Sequence, residues 1–137
     1  MKKELEDTIK EWLRFVEMDR STARHLVTTM HPKPLEIICF HCQQAAEKAI
    51  KALFVLKRIE IAKIHDLGML IKMIQTEIAF PDTIKISSIS LTKYAAIFRY
   101  PQSLDIDESI TQKALTDMDA VITWCKEQIA AAGYKIY

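Results

Sequence analysis

Glycine and proline are scarce in this chain: two glycines and four prolines occur among 137 residues. Few turns are therefore expected, and the regular elements should be long. No segment of useful length shows the polar–apolar alternation of a strand, and no apolar run approaches the ~20 residues of a membrane span. The charged N-terminus does not resemble a signal peptide. These absences predict an all-α cytoplasmic protein with no membrane segment.

Neither sign of charge dominates the composition. The chain carries 19 basic and 18 acidic residues, for a formal net charge of +1. This balance argues against a strongly basic nucleic-acid binder, whose affinity rests on neutralising phosphates, and leaves room for a local basic patch. Half of the residues are hydrophobic, and the length is that of one domain. We therefore expect a single helical domain over residues 1–137.

The three cysteines make an odd number, and two of them, Cys39 and Cys42, have the spacing of zinc ligands. A structural zinc site needs four ligands, usually from two such clusters, and the second cluster is missing here. Cysteines three residues apart in a helix more often act as small core residues. We predict no metal and no cofactor.

Apolar residues recur at helical spacing in five segments separated by short breaks. The predicted helices cover about 3–30, 35–57, 67–80 and 83–98, and a last helix opens at Asp105 or Asp107 and ends near Gly133. In the fourth helix we expect Ile86, Ile89, Ala96 and Ile97 to face inward. Short connections fold helices back antiparallel, so an up-and-down bundle of four main helices plus one shorter helix is predicted.

His65 and Asp66 precede the third predicted helix. They could form a charged catalytic pair. The simpler interpretation makes Asp66 the N-cap of that helix, because aspartate accepts a hydrogen bond from a backbone N–H of the first turn.

The segment from His41 to Lys51 is the most informative part of the chain. At about 100° per residue, one side of its helix carries small and apolar residues, namely Ile38, Cys42, Ala45, Ala49, Ala52, Leu53 and Leu56. Another side carries four polar residues within roughly 80°: His41, Gln44, Lys48 and Lys51. The first side predicts the most buried helix. The polar side could hold a phosphate or nucleotide, form half of a dimer contact, or simply be solvated. Glu47 and Lys51 also form an i, i+4 pair, worth a few tenths of a kcal/mol on a helix surface.

The break at Phe98-Arg99-Tyr100-Pro101 places a guanidinium and a phenol at the mouth of the bundle. An arginine suits phosphate recognition, and it can equally bind the free carbonyls at a helix end. We predict that Arg99 converges with His41 and Lys48 on one cleft. The candidate ligand-binding residues are then His41, Gln44, Lys48, Lys51, Arg99 and Tyr100.

Three blocks in order carry a family resemblance: His-Cys-Gln-Gln-Ala-Ala-Glu-Lys-Ala-Ile-Lys-Ala-Leu over 41–53, His-Asp-Leu over 65–67, and Leu-Thr-Lys-Tyr-Ala-Ala-Ile-Phe-Arg-Tyr-Pro over 91–101. They resemble the HEPN domain (higher eukaryotes and prokaryotes nucleotide-binding). The resemblance implies an all-α bundle that is often a homodimer. It also implies a nucleotide or RNA ligand and a small nucleotidyltransferase partner, in some cases as toxin and antitoxin.

Many HEPN toxins are metal-independent ribonucleases with an Arg-x4-6-His signature, and this chain departs from it. Arg99 matches the arginine, but the histidine positions hold Leu104, Asp105 and Ile106. The spacing recurs in other parts of the chain, at Arg20 to His25, Arg24 to His31 and Arg58 to His65. Losing the proton transfer would forfeit about 10² to 10⁴ in rate.

We therefore predict a nucleotide-binding or interaction module rather than an enzyme. The alternatives are a ribonuclease toxin with a displaced histidine, such as His41, and a purely structural partner protein.

Overall fold

The computed structural model describes residues 2–97 and 105–136, and every regular element within them is helical. The elements are α1 (Lys2–Thr29), α2 (Leu35–Leu56), α3 (Leu67–Ile74), α4 (Asp82–Leu91), a 3₁₀ helix (Thr92–Ala96) and α5 (Glu108–Ala131). This confirms the predicted all-α class. None of these helices is both long enough and apolar enough to cross a membrane.

Cross-helix contacts define the direction of the bundle. Glu17 pairs with Lys126 and Arg20 pairs with Asp119, so α1 runs antiparallel to α5. The short connection over residues 30–34 likewise turns α2 back against α1. α2 packs against every other helical element of the described chain, and it is therefore the central helix of the up-and-down arrangement.

α2 is the most buried helix, as predicted. Thirteen of its 22 residues are buried, compared with nine of 24 in α5. Ala45, Ala49 and Ala52 are completely buried, because small side chains let the neighbouring helices come close to the α2 backbone. The alanine-rich side therefore makes the main helix contacts of the core.

The predicted inward side of α4 is wrong in part. Ile86 and Ile89 are 65% and 57% exposed, although Ile97 is buried. The buried stripe is instead Ile84, Ser88 and Leu91. The Ser88 hydroxyl donates to the Ile84 carbonyl at 2.7 Å, so its polar group is satisfied and the small side chain can lie in the core.

Two predicted helix ends also differ from the structure. α3 ends at Ile74, well before Phe80, and the fourth predicted helix changes to 3₁₀ geometry at Thr92. After α3 the chain turns and still buries apolar side chains: the Phe80 ring lies 4.5 Å from that of Trp124, between centroids. Apolar periodicity cannot separate a helix from a turn that inserts such residues into the core.

Two aspartates cap helices. Asp66 accepts from the backbone N–H of Met69 at 3.1 Å, at the start of α3, which confirms the cap interpretation. Asp107 accepts from the backbone N–H of Ile110 at 2.8 Å. Of the two residues proposed to open α5, Asp107 is therefore the cap.

Replacing the α5 cap should destabilise the protein measurably. We expect Asp107→Ala to lower the free energy of unfolding by about 1 kcal/mol, because a first-turn N–H loses its acceptor. Asp105→Ala is the matched control, since Asp105 is exposed and lies outside the helix. Urea denaturation followed by circular dichroism measures both. Equal effects of the two substitutions would contradict the assignment of the cap.

Candidate functional site

Side chains from other elements divide the predicted polar side of α2 into two clusters. The first, called here the Asp19 cluster, consists of Asp19 on α1 with His41 and Lys48 on α2. Nδ1 of His41 lies 2.9 Å from one Asp19 carboxylate oxygen, and Nζ of Lys48 donates to the other at 2.5 Å. Asp19 is buried, whereas the His41 and Lys48 side chains are each 25% exposed. One buried carboxylate thus holds two predicted site residues together at the surface.

Aromatic rings border the Asp19 cluster. The Lys48 ammonium lies 5.9 Å from the centroid of the exposed Phe15 ring, and the Phe40 ring packs edge-on against the His41 imidazole at 5.5 Å. Phe15 and Trp12 also line a shallow cavity of about 280 Å³ on α1. The cluster therefore combines polar donors with an adjoining flat apolar surface.

The hydrogen bonds of the Asp19 cluster leave donors for a ligand. An ammonium has three N–H groups, and Lys48 uses one of them on Asp19. When the His41 Nδ1–H faces Asp19, the other ring nitrogen is an acceptor in the neutral imidazole and a donor in the cation. Gln44 lies between His41 and Lys48 along the same side of α2, and its amide donates to the Gln43 oxygen at 2.6 Å. The arrangement suits recognition of an anion beside a planar ring.

Lys51 belongs to a second group, the Glu47 cluster, made of Gln43, Glu47, Lys51 and His65. Lys51 donates to Glu47 at 2.9 Å, and Gln43 donates to the same carboxylate at 2.9 Å. Nδ1 of His65 lies 3.0 and 3.1 Å from the two carboxylate oxygens. Gln43 also donates to the His65 backbone carbonyl at 3.1 Å. This cluster joins α2 to the segment that precedes α3.

The Glu47–Lys51 pair is buried rather than exposed, with side chains only 4% and 8% accessible. The free energy of a few tenths of a kcal/mol expected for a surface pair is therefore too small for this one. Separating a buried pair costs more, because it leaves an uncompensated charge in the interior. Lys51 takes no part in the Asp19 cluster, because its ammonium donates to the buried Glu47 carboxylate.

Arg99 and Tyr100 lie outside the described residues. The convergence of Arg99 with His41 and Lys48 therefore stays a prediction. Among the described candidates, the structure brings His41 and Lys48 together on Asp19, whereas the Gln44 amide donates to Gln43 of the Glu47 cluster.

Two members of the site were missed. Asp19 lies on the buried stripe of α1, where a carboxylate among apolar positions is a signal that it has a partner in the bundle. Phe15 is an apolar residue one position before the buried Val16, yet its ring is exposed. Phe15 and Asp19 lie one turn apart on α1. This spacing, taken together with the polar side of α2, was the available signal that the two helices share a site.

A groove with a volume of about 850 Å³ lies between α1 and α5. The two arginines that line it are paired within the chain: Arg20 donates to Asp119 at 3.0 Å, and Arg14 donates to Glu11 at 2.7 Å. The hydrogen bond from Arg20 to Asp119 raises the pKa of that guanidinium. We place the candidate site at the Asp19 cluster, because there the partly exposed His41 and Lys48 side chains lie beside the exposed Phe15 ring.

The cysteines are core residues, as expected. All three are free and buried, and the Cys39 thiol donates to the Thr111 hydroxyl at 3.7 Å. Burial raises the pKa of the Cys42 and Cys125 thiols. Among the described residues, no group of three or more histidine, cysteine, aspartate or glutamate side chains is placed to hold a metal ion.

Thiol reactivity should report this burial. The thiolate is the reactive form, and a raised pKa reduces its fraction at neutral pH. We expect iodoacetamide at pH 8 to modify the folded protein slowly and all three cysteines rapidly in denaturant. Mass spectrometry of timed samples measures the modification. Rapid modification of Cys42 or Cys125 in the folded protein would contradict the prediction.

Comparison with known proteins shows which family and which solved structures this chain resembles. Residues 9–128 match the family model of the HEPN domain. The chain is similar to the crystal structure of ST0689, an archaeal HEPN homologue, with a TM-score of 0.69 and 24% identity. It is also similar to the crystal structure of TT1696 from Thermus thermophilus, with a TM-score of 0.72 and 23% identity. Each comparison covers 88% of this chain and 97% of the other.

No curated protein matches this chain. The family model nevertheless spans most of the sequence, from α1 to the last turns of α5, and confirms the resemblance carried by the three sequence blocks. The chain belongs to the HEPN domain family.

Proposed function

We propose that this HEPN protein is a non-catalytic module that binds the phosphate of a nucleotide at the Asp19 cluster. The observation that carries the proposal is the pairing of two partly exposed donors, His41 and Lys48, on one buried carboxylate beside the exposed Phe15 ring. A lysine supplies a point charge for phosphate, and an aromatic face can stack on a base.

Asp19 limits the strength of such a site. Its negative charge offsets one cation, so an incoming phosphate competes with the carboxylate for Lys48. The net attraction is therefore modest and should weaken as salt screens it. A nucleotide suits the site better than phosphate alone, because the ring contact adds affinity that does not depend on charge.

Calorimetric titration of AMP and ATP into wild type and Lys48→Ala tests the proposal. We expect about a tenfold loss of affinity, equivalent to one lost charge-assisted contact, and partial recovery in Lys48→Arg. Lys113→Ala is the matched control, since Lys113 donates at 2.7 Å to Asp117, a carboxylate as buried as Asp19. If the Asp19 cluster only joined α1 to α2, Lys48→Ala would lower thermal stability and leave nucleotide affinity unchanged.

The ribonuclease alternative has a separate test. Mixed RNA incubated with the wild-type protein should remain intact, because no histidine follows Arg99 at the signature spacing. RNA cleavage that is lost in both Arg99→Ala and His41→Ala would instead assign these residues to catalysis. Arg99→Ala is also expected to weaken nucleotide binding if Arg99 converges on the site.

We infer in addition that the protein is a homodimer and the cytoplasmic partner of a small nucleotidyltransferase, in a toxin–antitoxin-like pair. Membership of the HEPN family supports this inference. Sedimentation at high micromolar concentration should give twice the monomer mass, and a monomer would contradict the dimer. Co-purification with the nucleotidyltransferase encoded by a neighbouring reading frame tests the partnership.

A further inference from the structure

Four large apolar side chains are left uncovered on α3 and α4. Met69 and Met73 lie one turn apart on α3, and Ile86 and Ile89 lie three residues apart on α4; all four are about half exposed or more. We call this set the α3–α4 face. Such a concentration of exposed apolar residues on two neighbouring short helices is typical of an interaction surface.

The α3–α4 face contains a cleft. A cavity of about 350 Å³ lies between the two helices, with Met69 and Ile89 among its lining residues. Gly68 lies against the other side of the cleft: a Cβ atom at this position would be in van der Waals contact with Ile89, at 3.4 Å from its Cγ1 atom. The cleft is therefore a shallow apolar channel along which a narrow ridge of side chains could lie.

Two lysines determine which occupant suits the cleft. Lys72 and Lys85 both line it, and neither has an ion pair with any other described residue. The carboxylate in the lining, Asp66, is engaged as the α3 cap. A second copy of this face would bring like charges together, which is unfavourable. A partner with carboxylates beside its apolar residues would complement both features.

We propose that the α3–α4 face docks an amphipathic helix of another protein, with its apolar stripe in the cleft and flanking glutamates or aspartates on Lys72 and Lys85. Apolar residues at helical spacing fit a groove of this kind, and the flexible Met69 side chain, which lines the cleft, can adapt to them. The proposal is independent of nucleotide binding, since the Asp19 cluster lies on α1 and α2.

The probe is a synthetic helical peptide with leucines at positions i, i+3, i+4 and i+7 and glutamates on both flanks. A second peptide keeps the leucines and replaces each glutamate with lysine. Fluorescence anisotropy should show the full-length protein binding the acidic peptide about tenfold more tightly than the basic one. Equal affinity for the two peptides, or no binding of either, would overturn the proposal.

Variants then locate the site. We expect Met69→Ser/Ile89→Ser to lower the affinity for the acidic peptide about tenfold. Lys72→Glu/Lys85→Glu should reverse the preference, so that the basic peptide binds more tightly than the acidic one. Met18→Ser/Met30→Ser is the matched control, because these methionines are equally exposed but lie elsewhere. Thermal midpoints verify that each variant is folded.

Two results would overturn the assignment. In the first, Met69→Ser/Ile89→Ser leaves peptide affinity unchanged. In the second, the wild type sediments as a dimer that this double variant dissociates, which would make a second copy the occupant. Nucleotide affinity measured on the same variant should be unchanged, so failure of this proposal is distinguishable from failure of the nucleotide site.

Discussion

Glu47→Gln is expected to lower the free energy of unfolding by about 3 kcal/mol, because it leaves the buried Lys51 ammonium without a neutralising charge. The substitution preserves the size of the side chain, so no cavity adds to the effect. Glu47 is also the common acceptor for Gln43 and His65, and its loss of charge weakens three contacts of one network. Chemical denaturation followed by circular dichroism measures the change.

The control for this substitution is Glu11→Gln on α1. Glu11 also pairs with a cation of its own helix, Arg14, at 2.7 Å, but both side chains are well exposed to solvent. The hydrogen bond from Arg14 lowers the pKa of Glu11, yet an exposed pair contributes little to stability. We expect an almost unchanged denaturation midpoint. A loss for Glu47→Gln as small as that for Glu11→Gln would contradict the burial of the Glu47 cluster.

Ala49→Leu should lower the free energy of unfolding by about 1–3 kcal/mol, because it overpacks the contact between α2 and its neighbours. Ala49 is completely buried in the central helix, and the added carbons have no space unless the helices move apart. Ala130→Leu makes the same change at an exposed position of α5 and should have little effect. Equal midpoints for the two variants would contradict the close packing of α2.

The fold was predictable where residue size and helical spacing agree. Along α2, alanines and larger apolar residues occupy one side. No other predicted helix has such an alanine-rich side, so α2 could be identified as the central helix. Along α4, isoleucines at 84, 86 and 89 are compatible with two different stripes. The buried stripe is the one that includes Ser88, whose burial is tolerated because its hydroxyl is satisfied by its own helix. Spacing alone could not select it.

The candidate site was predictable only within one helix. The spacing of His41 and Lys48 places them on one side of α2, and the structure confirms that they lie together. Their common partner Asp19 comes from another helix, and the alignment of α1 against α2 depends on packing across the whole contact. For the same reason, spacing along α2 could not show that Lys51 is buried. Its position around the helix places it on the polar side, but in the structure it forms a buried pair with Glu47.

Amide chemical shifts recorded during a titration with ATP test the proposed nucleotide site most directly. We predict that the largest shifts occur at Phe15, Asp19, His41, Gln44 and Lys48, that they saturate, and that they are lost in Lys48→Ala but retained in Lys113→Ala. Shifts confined to the α1–α5 groove around Asp119 and Lys126, or no shifts at millimolar ATP, would contradict nucleotide binding at the Asp19 cluster.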